Sequence, residues 1–72
     1  MNLTERSAVL NALERFAGNY RIANGEQEIE KVNYWAYGFI DSMTLDETER
    51  QDFREIYKDK TGIRDRAIAS VQ

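Results

Sequence analysis

Apolar positions recur along this chain with a helical beat. In the middle, Val32, Trp35, Ala36, Phe39, Ile40 and Met43 repeat at i, i+3, i+4, i+7, i+8 and i+11, which is one stripe of a helix turning about 100° per residue. Ile29 extends the stripe backwards. Tyr34 and Tyr37 do not join it; they fall on the other side with Gly38 and Asp41. A helix that is apolar or aromatic on two sides needs two things to pack against.

Earlier in the chain, Val9, Leu10, Leu13, Phe16 and Ala17 mark one face, while Arg6, Asn11, Glu14 and Arg15 mark the other. Thr4 is the expected N-cap, with Glu5 in the first turn and a weak staple between Leu3 and Ala8. Gly18-Asn19 is the expected stop, because glycine enters the left-handed conformation without a Cβ clash. The first helix is therefore predicted over residues 4–17. Tyr20-Arg21-Ile22-Ala23 becomes a connector with apolar anchors. Asn24-Gly25 is compatible with a hairpin turn joining Tyr20–Ala23 to Glu26–Ile29. It is equally a helix start, with Asn24 as N-cap and Gln27 three residues on. Glu26, Glu28 and Glu30 suit a helix N-terminus and are poor strand formers, and the continuing stripe decides for a helix over 25–43.

Thr44-Leu45-Asp46-Glu47 has the form of a capping box and predicts a third helix over 45–60, with Leu45, Phe53, Ile56 and Tyr57 inside. Asp46, Glu47 and Glu49 crowd its start, Lys58 and Lys60 its end, and Gly62 closes it. Ile63, Ala67, Ile68 and Val71 suggest a short C-terminal helix or tail over 63–70. The fold class is all-α: a small three-helix bundle forming one domain over 1–72. The absence of proline agrees with helices joined by short turns.

Composition narrows what such a bundle does. Without Cys or His there are no disulfides, no ordinary zinc site, no His-based triad and no Cys nucleophile. The four glycines are scattered, so no loop cradles phosphate. No catalytic residue, cofactor site or metal site is expected, and carboxylate pairs such as Glu26/Glu30 and Asp52/Glu55 read as solvated acidic faces. Chains this short rarely offer a pocket of the ~300 Å³ that small ligands use. The expectation is a non-enzyme with no small-molecule substrate.

The net charge of −3 is spread evenly: residues 1–43 carry six acids and four bases, residues 44–72 seven and six. That is neither a basic nucleic-acid footprint nor the dense negative charge of a DNA mimic. An alternative DNA-binding regulator would use Arg50, Arg54, Lys58, Arg64 and Arg66, but the third helix opens on acids that phosphate repels. No apolar run reaches the ~18–20 residues of a membrane span, the N-terminus lacks signal-peptide character, and a cytoplasmic location is expected.

Protein partners remain. Tyr is enriched at interface hot spots because it combines rigid area with a polar tip. The candidate partner-binding residues are therefore Tyr34, Tyr37, Gly38 and Asp41, extended by Glu30. A glycine deep in a helix costs about 1 kcal/mol relative to Ala, so a close approach at Gly38 is expected. The partner is another protein or a second copy of the chain, unless residues 63–71 cover the face. Short acidic helical chains of this kind are frequent among accessory factors of bacteria and phages, so the expected role is a small accessory, inhibitor or regulatory protein acting on a larger one.

Overall fold

The computed structural model describes residues 1–44 and 46–63. Those residues form α1 (Leu3–Ile22), α2 (Glu26–Met43) and α3 (Glu47–Thr61), packed against one another as a small all-α bundle. The hairpin alternative is not formed. The predicted C-terminal segment lies, from residue 64 on, outside the described residues.

Cross-helix contacts give the directions. Arg6 reaches Asp52 near one end of α1 and α3, and Glu14 pairs with Lys60 near the other, so these two helices run parallel. Going up α2, Asn33 and Tyr37 meet Tyr57, and Asp41 meets Arg54, so α2 runs antiparallel to α3. Phe16 packs against Phe39, ring centroids 5.7 Å apart and planes tilted at 52°, which fits an antiparallel α1–α2 pair. The result is up-down-up, as two very short connections favour.

The core is made of Val9 and Leu13 from α1, Ala36 and Ile40 from α2, and Phe53 and Tyr57 from α3, all fully buried. Arg6 lies over the Phe53 ring at 5.1 Å and shields one side of that core.

All three predicted bundle helices are present, but their ends move for physical reasons. The first helix does not start at Thr4 or stop at 17. Asn2 is the N-cap, its Oδ1 accepting the Glu5 N–H at 2.8 Å, and Leu3 is left exposed instead of stapled. At the other end α1 passes through Gly18 because Ala17 and Tyr20 continue the buried line of Val9 and Leu13. Burying a side chain as large as Tyr20 contributes ~2–3 kcal/mol, which outweighs the ~1 kcal/mol that an internal glycine costs.

The second helix starts one residue late. Gly25, at φ 90°, is its N-cap, and Glu28 in place of Gln27 takes the reciprocal role by accepting the Asn24 N–H at 2.7 Å. Thr44 does not open the third helix. It closes the second: its hydroxyl and N–H both donate to the Ile40 carbonyl, at 2.7 and 3.1 Å. Asp46 is the cap of α3 and accepts the Thr48 N–H, so the helix begins at Glu47 and runs to Thr61. Gly62 ends it at φ 72°, the left-handed stop that the sequence predicts. Within α3, Phe53 and Tyr57 are buried and Ile56 partly so, while Leu45 lies outside the described residues.

Candidate functional site

The centre of the buried stripe on α2 is Ala36, flanked along the helix by Val32 and Ile40. This shifts the inner face toward Tyr37 and away from Trp35, and it divides the five partner-binding candidates into two groups.

Tyr37 and Asp41 point into the seam with α3. The Tyr37 ring meets the Tyr57 ring edge-on, with centroids 5.4 Å apart and planes at 76°. Arg54 lies over the Tyr37 ring at 5.3 Å, and its Nη2 donates to both oxygens of Asp41, at 2.8 and 2.9 Å. Arg50 brings its Nε within 3.6 Å of the same carboxylate, donates to Glu47 at 2.8 Å, and donates to the Thr44 carbonyl at 3.2 Å. Deeper in the seam, the Tyr57 hydroxyl donates to Asn33 Oδ1 at 2.8 Å. Burial pushes both phenols above their usual pKa; Arg54 partly offsets this at Tyr37. The seam is thus a set of polar tips turned toward one another over an aromatic floor.

Glu30, Tyr34 and Gly38 follow one another along the outside of α2 at i, i+4 and i+8. Tyr34 is 78% exposed, against an almost complete burial of Tyr20 and Tyr57. Among the described residues nothing comes within 4 Å of where a Cβ on Gly38 would stand, so none of them makes the expected close approach. Residues 64–71, the chain's own candidate cover for this face, lie outside the described residues.

Beside this ridge is a groove that the residue pattern does not single out. It is open, has a volume of about 320 Å³, and is lined by Asn19, Ile22 and Ala23 from the end of α1 and by Glu28, Lys31, Val32 and Trp35 from α2. Trp35 is 51% exposed and Ile22 79%. Trp35 was expected in the core with Met43, which is also about half exposed. The reason is angular: Trp35 sits about 100° round the helix from Ala36, at the rim of the stripe. Locating the stripe by its smallest, most enclosed member would have found it. Met43 and exposed Met1 line a slightly smaller cleft at the other end of the bundle, together with Glu5, Asp46 and Glu49.

The basic residues of the alternative DNA-binding reading are occupied where they are described. Arg50 and Arg54 hold Asp41 and Glu47, and Lys58 lies 3.7 Å from Glu55. Arg64 and Arg66 lie outside the described residues. Among the described residues no helix is long and apolar enough to cross a membrane. No family model, curated protein or solved structure matches this chain.

Proposed function

We propose that the chain is a non-enzymatic protein-binding module, a small accessory, inhibitor or regulatory protein that docks on a larger protein through the outer ridge of α2. The observation that carries this is Tyr34, a large aromatic side chain 78% exposed, one turn from a glycine that no described residue approaches within 4 Å of its Cβ position. Such a ring offers rigid contact area at low entropic cost, and the bare backbone at Gly38 lets a partner side chain settle against the helix. Glu30 supplies a charge one turn away. Asp41 and Tyr37 fix the ridge from behind by tying α2 to α3. The absence of Cys is consistent with action in the cytoplasm.

The experiment is affinity capture from host lysate, identification of the bound protein, and titration of that purified protein against wild type, Tyr34→Ala and Gly38→Leu. Both variants should keep their helical spectrum and weaken binding at least ~10-fold, the effect of losing about 1.4 kcal/mol. A specific partner that binds both variants as tightly as wild type would overturn the assignment of the ridge.

A further inference from the structure

We infer that the Ile22–Trp35 groove is the contact surface for a second copy of this chain, with the two α2 helices crossing antiparallel and each Glu28 facing the other copy's Lys31. A two-fold interface uses one patch twice, so that patch must complement itself: what residue i needs, residue j of the same patch must supply. This groove meets that condition in shape and in charge. Trp35 is a half-exposed ring on one bank, and Ile22 and Ala23 at the end of α1 offer apolar surface on the other for an identical ring to cover. Glu28 and Lys31 line the same groove one helical turn apart. Lys31 makes no ion pair among the described residues. The Glu28 carboxylate is held in place by the Asn24 N–H.

The two halves of the argument fix the same register. An antiparallel pairing of α2 helices centred between Ile29 and Glu30 sets Glu28 beside the second copy's Lys31, and Lys31 beside the second copy's Glu28. It also carries each Trp35 over the second copy's Ala23–Asn24 corner, beside the Ile22 and Ala23 that line the groove. Tyr34 lies about 100° round the helix from Trp35 and stays outside this contact. The pairing is therefore independent of the larger partner assigned to the ridge. A few exposed apolar side chains give less than the ~800 Å² per partner of a standard interface, so the dimer is of the weak, transient kind.

The test is analytical ultracentrifugation of the full chain over a concentration series, with helical content followed by circular dichroism. Wild type should shift from monomer toward twice its mass at high micromolar concentration. Trp35→Ala and Lys31→Glu should each weaken association at least ~10-fold, about 1.4 kcal/mol, while Tyr34→Ala leaves it unchanged. Glu28→Lys and Lys31→Glu, each weakened alone, should associate when mixed, because one copy then presents two positive and the other two negative groups. A wild type that stays monomeric throughout, or mixed charge variants that do not pair, would overturn the inference. If Glu28→Lys fails to fold, Lys31→Glu and Trp35→Ala decide the matter by themselves: association unaffected by either removes the groove from the interface.

Discussion

The two flanks of α2 are built from similar residues and put to opposite use. Facing α3, Tyr37 and Asn33 are drawn against Tyr57, and Asp41 is gripped by Arg54 and Arg50. Facing the last turns of α1, Trp35 stands half in water with Ile22 beside it. Hydrophobicity alone would have assigned them the other way round. A tyrosine is welcome inside when the neighbouring helix supplies a partner for its hydroxyl or a cation for its ring face. A tryptophan stays outside when the opposing helix end has too little bulk to cover it. The seam is closed by polar tips that pair across it, with the Nε groups of Arg50 and Arg54 left buried without a hydrogen bond. The groove stays open because only Asn19, Ile22 and Ala23 of the α1 end stand opposite Trp35, and Ile22 itself faces water.

The sharpest way to break this contrast is to remove what the two flanks share. Phe53→Ala leaves a cavity in the common core and should cost about 3–5 kcal/mol. A single core of this size supplies a similar amount, so the variant should be largely unfolded by circular dichroism without denaturant. Next comes the direct comparison. Tyr37→Ala should lower stability by about 2 kcal/mol in urea titration, Trp35→Ala by under ~1 kcal/mol. Equal losses would mean that the two flanks are not different in kind.

Tyr57→Phe isolates the hydroxyl donated to Asn33 and should cost about 1 kcal/mol near neutral pH. It also has a pH signature. Burial raises the Tyr37 and Tyr57 phenols, so the unfolded chain gives up those protons first. Their contribution to stability is complete below about pH 10 and is lost as pH rises above it. Wild type should therefore lose stability in alkali more steeply than Tyr57→Phe. Asp41→Ala should cost about 1 kcal/mol, less at high salt, since the carboxylate and both guanidinium groups are partly solvated. The smallest effect has the opposite sign: Gly38→Ala should stabilise by about 0.5–1 kcal/mol, because the added methyl meets none of the described residues and the helix loses its most flexible internal residue.

Much of the bundle is visible in its residue pattern, and the misses have specific causes. Three helices, the short connections and the Gly62 stop all follow from periodicity and caps. Thr44 misled because a threonine between two helices can serve either: its hydroxyl went to the Ile40 carbonyl behind it, while Asp46 capped the amides ahead. Gly18 misled because a local stop signal was overruled by the distant packing of Tyr20. At the candidate site, the ridge of Glu30, Tyr34 and Gly38 was readable from spacing alone. That Tyr37 would pack on Tyr57 and that Asp41, while still exposed, would pair with Arg54 and Arg50 was not, because both depend on residues arriving from another helix. The groove depends in the same way on how far α1 extends.

The turn of α1 beyond Gly18 has a dynamic consequence. It is held to the bundle by Tyr20 and by Arg21, whose Nη2 donates to the Lys60 carbonyl at 3.3 Å, while Asn19 and Ile22 face water. A glycine hinge followed by few anchors makes a unit that opens by itself, ahead of global unfolding. Amides of residues 19–22 should exchange with deuterium well before those of Val9–Leu13. Because Asn19 and Ile22 form one wall of the groove, each such opening dismantles that wall, and any molecule seated there would slow the exchange of those same amides.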